Sequence, residues 1–181
     1  MRLNIIEQVI ELPQGIKLSQ QALTLVIEGP KGRVERRLEP KLSLEIKPDS
    51  LRISMKKATK REKTTVGTLT AHIHNMIHGV TEGFTYRMKI CSGHFPMTVQ
   101  VKGNEFIVKN FIGEKTPRVM KLKSGVEAKV EGDIVVISSA DKELAGQTAA
   151  SIEALTTRAN YDKRVFQDGI YITEKPERVL K

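Results

Sequence analysis

Residues 66–76 read VGTLTAHIHNM and residues 145–155 read AGQTAASIEAL. A shift of 79 positions lays Val66, Gly67, Leu69, Ala71, Ile73 and Met76 over Ala145, Gly146, Thr148, Ala150, Ile152 and Leu155. In the first stretch Val66, Leu69, Ile73, Met76 and Val80 recur every three or four residues, which is the apolar stripe of an amphipathic helix. The spacing predicts a helix from about Arg61 that stops near Gly79 as its C-terminal cap, and a second helix starting near Asp141. Small residues match as well as large ones, so each helix is expected to lie close against a sheet of its own, where a larger side chain would collide.

Working outward, the same order of shorter elements precedes each helix. Ala22 to Glu28 reads as a strand, the Gly29–Gly32 stretch GPKG turns the chain, and Leu42 to Ile46 and Leu51 to Met55 alternate apolar and polar residues. In the second half Phe106 to Val108 is strand-like and Asn110 to Gly113 turns the chain. Val126 to Val130 then leads through Glu131-Gly132-Asp133 into Ile134 to Ile137. The pattern predicts an α+β protein of two homologous domains from an internal duplication, each a small antiparallel sheet packed against one long helix. The domains are expected at 1–82 and 83–181, with Phe84 to Ser92 linking them as a long shared strand.

A chain of 181 residues accommodates two such units. Its 39% apolar and 28% charged residues are those of a folding protein, not of a disordered one. Thirty Lys and Arg against 21 Asp and Glu give +9, an excess that favours a polyanionic partner, nucleic acid first. No membrane partner is expected: no basic amphipathic helix stands out and no apolar run approaches the ~20 residues a membrane helix needs. The first residues lack a signal-peptide pattern, and the single cysteine, Cys91, cannot form an intramolecular disulfide. Both point to a cytoplasmic protein.

Catalytic patterns fail in turn. His74 and His78 stand at i and i+4 on one helix face, but only Glu82, Cys91 and His94 offer a third metal ligand, and no zinc-protease motif is present. No metal or other cofactor is expected. Gly29–Gly32 and the stretch from Gly113 to Thr116 lack the phosphate-loop spacing, and Ser92-Gly93-His94 is no nucleophile elbow. The chain is not expected to be an enzyme.

What remains is positive charge at turns. Lys31, Arg33, Arg36 and Arg37 surround the first hairpin, and Lys56, Lys57, Lys60, Arg61 and Lys63 precede the first helix, together forming a secondary basic patch. Lys109, Lys115 and Arg118 surround the matching hairpin of the second half, and Arg158, Lys163, Arg164 and Lys175 lie near the chain's end. Such side chains reach phosphates, Lys as a mobile point charge and Arg as a fork. Net charge favours the first half, since residues 1–80 carry 14 basic and 8 acidic side chains (+6) and residues 81–181 carry 16 and 13 (+3). Aromatics favour the second, because Phe111, Tyr161, Phe166 and Tyr171 interleave with its cations, although Phe166 and Tyr171 fit a core equally well.

Four stretches in register carry a resemblance over nearly the whole chain: VGTLTAHIHNMIHGVTEGF (66–84), SGHFPM (92–97), IVKNFIGEKTPR (107–118) and RVFQDGIYITEKP (164–176). They closely resemble the archaeal and eukaryotic branch of the universal large-subunit ribosomal protein six family, called protein nine in eukaryotes. The resemblance implies a duplicated two-domain fold and a structural, ribosome-bound protein. It further implies binding to large-subunit rRNA chiefly through the second domain, near the stalk base and the sarcin-ricin loop, with neighbouring ribosomal proteins and translation factors close by. Carried over by motif, the implied rRNA contacts are Lys109, Asn110, Phe111, Gly113, Lys115 and Arg118, then Lys163, Arg164, Phe166, Gln167, Asp168, Gly169, Tyr171 and Lys175, with Arg158 beside them. Gly113 and Gly169 are expected to let the backbone approach RNA closely.

Overall fold

The computed structural model describes residues 3–40, 42–47, 49–162, 164–176 and 178–179, with the side chains at 3, 4, 56–58, 178 and 179 outside that description. The chain divides into two compact units, Met1–Gly83 and Phe84–Lys181. The first holds β1 (Leu3–Glu11), β2 (Lys17–Gln21), β3 (Thr24–Gly29), β4 (Gly32–Arg37), β5 (Ser43–Ile46), β6 (Ser50–Ala58) and α1 (Lys60–Thr81). Its strands form two antiparallel sheets, ordered β1-β6-β5 and β2-β3-β4. Alternation does not announce β1, because its outward positions Ile5 and Val9 are apolar yet more than half exposed.

The stripe on α1 is the one the spacing predicts: Val66, Leu69, Ile73, Met76 and Val80 are all buried. They meet Leu25, Ile27, Leu51 and Ile53 of the sheets in one core, each such side chain contributing about 1.5–3 kcal/mol by leaving water. A capping box starts the helix, the Glu62 carboxylate accepting from the backbone N–H of Thr59 at 2.9 Å. Its end differs from expectation. The helix runs through the buried Gly79 to Thr81, and Gly83, at φ 81°, takes the left-handed conformation that closes it. The first hairpin docks on this last turn, where the Lys31 N–H donates to the Val80 carbonyl at 2.9 Å.

The second unit holds β7 (Phe84–Cys91), β8 (Thr98–Lys102), β9 (Glu105–Lys109), a 3-10 turn (Phe111–Gly113), β10 (Arg118–Lys121), β11 (Val126–Glu131), β12 (Ile134–Ser139), α2 (Lys142–Leu155), β13 (Gly169–Lys175) and β14 (Arg178–Val179). Its sheets are ordered β11-β12-β7-β13-β14 and β10-β9-β8. The duplication is therefore visible in topology: β7-β12-β11 repeats β1-β6-β5, and β8-β9-β10 repeats β2-β3-β4. Each repeat thus carries two sheets against its helix. β13 and β14 extend the sheet on the edge of β7, whereas the matching edge of β1 takes no strand among the described residues. Phe84 to Ser92 does contain a strand, β7, but its partners are β12 and β13 of the second unit's own sheet.

The expectation that the paired glycines mark close packing holds for one of them. A Cβ at Gly146 would stand 2.9 Å from the Tyr86 hydroxyl, so a larger residue there would have to push that side chain aside. Gly67 faces solvent with nothing within 4 Å of its missing Cβ, and Ala71 and Ala150 are likewise exposed.

Candidate nucleic-acid interface

Three segments of the second unit converge beside the C-terminal end of α2: the loop 92–97, the turn after β9, and residues 156–162 and 164–171 leading into β13. Asp168 ties the first to the last. Its buried carboxylate accepts from the His94 backbone N–H at 3.0 Å and lies 2.7 Å from His94 Nδ1. Burial pushes this carboxyl upward, but hydrogen bonds from the backbone and ring of His94 and the backbone of Gly93 outweigh it and hold the group below the usual aspartate value.

A row of rings and one cation continues from His94. The imidazole lies 5.0 Å from the Phe166 ring, Phe166 meets Tyr161 edge to face at 4.9 Å, and the Arg158 guanidinium lies 4.4 Å above Tyr161. Phe111, Glu153, Arg158, Tyr161, Phe166 and Tyr171 line a cavity of about 410 Å³ at this place. The turn at Asn110 and Ile112 is tight, with φ of 57° and 47°, and the Asn110 amide fastens it by donating to the Pro96 carbonyl at 3.0 Å.

Arg118 is committed inside the unit. Its guanidinium forks onto Glu114 at 2.7 and 2.8 Å, donates to the Leu155 and Thr157 carbonyls at 2.6 and 3.2 Å, and lies 4.3 Å over the Phe111 ring. Because α2 has no basic residue in its own last turn, Arg118 supplies the cation that its negative end favours. The hydrogen bond from Arg118 holds the Glu114 carboxyl below its usual value. α2 also seals the open edge of β13, where Thr156 Oγ1 accepts from the Ile170 N–H at 2.9 Å and Glu153 from the Ile172 N–H at 3.4 Å.

The motif residues therefore separate by role. Phe111, Asp168 and Gly169 are buried and order the surface from within, and a Cβ at Gly169 would stand 3.1 Å from the Tyr171 ring that covers it. Gly169 makes room for Tyr171, and Gly113, at φ 76° beside the Phe95 ring, makes the turn possible. Lys109, Asn110, Gly113, Lys115, Arg164, Gln167 and Lys175 are exposed, and Arg158, Phe166 and Tyr171 are half-buried. Arg164 reaches outward but folds onto Asp162 at 2.8 Å. Lys163 lies outside the described residues, as do the side chains of Lys56 and Lys57.

The secondary basic patch divides in two. Lys31 and Arg33 stand on the hairpin at the C-terminal end of α1, with Arg33 paired to Glu35 and Glu28, whereas Lys60, Arg61 and Lys63 stand at its start, about 28 Å away by helix rise. Sequence reasoning missed His94 and Phe95: no local pattern couples His94 to an aspartate 74 residues later, and Phe95 is 44% exposed beside Gly113. Among the described residues no group of three His, Cys, Asp or Glu side chains is placed to hold a metal ion. Among the described residues no helix is long and apolar enough to cross a membrane.

Comparison with known proteins matches the family described as Ribosomal protein L6 twice, at residues 12–83 and 95–169. Relatives called large ribosomal subunit protein uL6 include that of Haloarcula marismortui, 41% identical over 93% of this chain and 96% of its own. That of Methanosarcina mazei is 41% identical over 94% and 97%, and that of Sulfurisphaera tokodaii 41% over 92% and 90%.

Proposed function

The chain belongs to the Ribosomal protein L6 family, and on that premise we propose that it is a structural constituent of the large ribosomal subunit whose second unit docks on large-subunit rRNA. The family is one of ribosomal constituents, not of enzymes. The observation that carries the docking reading is the division of labour in the second unit. Arg118, Asp168 and Phe111 lock the two motif segments together from inside, leaving Lys109, Lys115 and Lys175 exposed with no side-chain partner among the described residues.

These cations neutralise phosphates without reading bases, so most of the affinity is electrostatic and set by shape. The exposed ring of Tyr161 and the half-buried ring of Phe166 flank a cavity that accommodates an unstacked base. With the repeats divided at 1–82 and 83–181, the second is the chief rRNA-facing part of the chain. Placement near the stalk base and the sarcin-ricin region, among neighbouring ribosomal proteins and translation factors in the cytoplasm, follows from the family resemblance and is part of the proposal. Sedimentation of cell extract after a high-salt wash tests it: the chain should travel with the large subunit. Recovery solely at the top of the gradient would sink the reading.

A further inference from the structure

The first unit carries a cavity of about 390 Å³ between the end of β4 and one face of α1. Arg36 and Arg37 line it from the strand side, and Arg61, Thr64, Thr68 and His72 from the helix, where their spacing of three or four residues places them on a single face. Three arginines thus line one concavity with a single carboxylate, Glu39, among its lining residues. Arg33, at the start of the same strand, is paired with Glu28 and Glu35, but Arg37 and Arg61 have no side-chain partner among the described residues. Arg36 is held in place by donating to His72 Nε2 at 2.9 Å, which leaves that nitrogen an acceptor.

We infer that this cavity is a second RNA site, separate from the surface of the second unit, that grips a sugar–phosphate backbone. The guanidiniums fork onto phosphate oxygens. The threonines meet the ribose. Thr64 Oγ1 donates to the Lys60 carbonyl at 3.1 Å and Thr68 Oγ1 to the Thr64 carbonyl at 3.0 Å, so both hydroxyl protons are committed to the helix and the oxygens are left as acceptors. A ribose 2′-hydroxyl is the matching donor, and RNA presents one beside every phosphate. All five Phe and three Tyr of the chain fall between Phe84 and Tyr171, and Trp is absent. The first unit therefore offers no Phe, Tyr or Trp for a base to stack on, and the one ring at the cavity, His72, is engaged by Arg36, so contact is chiefly with the backbone.

The inference rests on the reading of the chain as an rRNA-binding protein, and the test separates the two. Full-length protein is bound to protein-free large-subunit rRNA and the riboses it shields from hydroxyl radicals are mapped. Arg37→Ala with Arg61→Ala, both on exposed side chains, should erase one patch of protection and keep the patch that Lys109→Ala with Lys115→Ala erases. Thr68→Val, which keeps every cation, should weaken binding about threefold, the loss of one neutral hydrogen bond. A wild-type footprint for the arginine variant overturns the inference. So does a variant that leaves the large subunit more readily while its footprint on free rRNA is intact, because the cavity then holds a protein. Loss of the arginine-dependent patch alone, with the lysine variant unchanged, upholds this inference and defeats the reading of the second unit.

Discussion

Asp168 and Arg118 are motif residues whose chemistry is turned inward. The carboxylate joins the 92–97 loop to the root of β13 and the guanidinium joins β10 to the end of α2, so both shape the surface without lying on it. Because interactions in the folded state hold the Asp168 carboxyl below its unfolded value, its contribution is fully present at neutral pH. That contribution is lost as pH falls through the folded value, below the ordinary aspartate range near 4. Asp168→Asn should therefore lower the stability of the second unit by about 1–3 kcal/mol at pH 7, with the gap from wild type closing in acid. Tyr86, Tyr161 and Tyr171 are the only tyrosines, so their fluorescence during urea unfolding follows this unit alone. An equal gap at pH 7 and pH 3 would contradict the assigned role.

At the scale of the elements, the glycines divide according to what lies against them. A Cβ at Gly29 would come 2.8 Å from the Val80 carbonyl oxygen, a backbone atom of α1 that cannot retreat cheaply, while Gly67 on the same helix faces open space. Gly29→Ala should cost about 1–3 kcal/mol by forcing the hairpin off the helix. Gly67→Ala should add about 0.5–1 kcal/mol by helix propensity. Thermal melts followed by far-ultraviolet circular dichroism separate the two, and Tm shifts of one sign would contradict the packing described. Sequence alone does not make this distinction: the paired alignment treats Gly67 and Gly146 alike, yet only Gly146 has a ring, that of Tyr86, above it. The helix stripe and the strands β9, β11 and β12 were legible because their inward positions keep the periods of helix and strand, whereas β3 was legible only as an apolar run, Leu25, Val26 and Ile27 all being buried. β1 was not, since Ile5 and Val9 break the alternation from the solvent side.

For the whole molecule, a duplicated architecture leaves two units with different chemistry. The aromatic row, the cavity beside α2 and the strands β13 and β14 belong to the second alone, and the larger positive excess to the first. The motif segments were legible as a surface, but not which of their residues face outward. Burial of Phe111 and Asp168 depends on contacts with the far side of the unit that no local spacing records. The central claim is that the outward cations of the second unit, and not its inward ones, hold the RNA. It is tested most directly by the salt dependence of full-length protein binding to protein-free large-subunit rRNA. Lys109→Ala with Lys115→Ala should reduce the slope of log K against log salt by about 1.5–2, two phosphate contacts. Arg118→Ala should lower stability and leave that slope unchanged. A double lysine variant with the wild-type slope, or an Arg118 variant with a shallower one, would contradict the account.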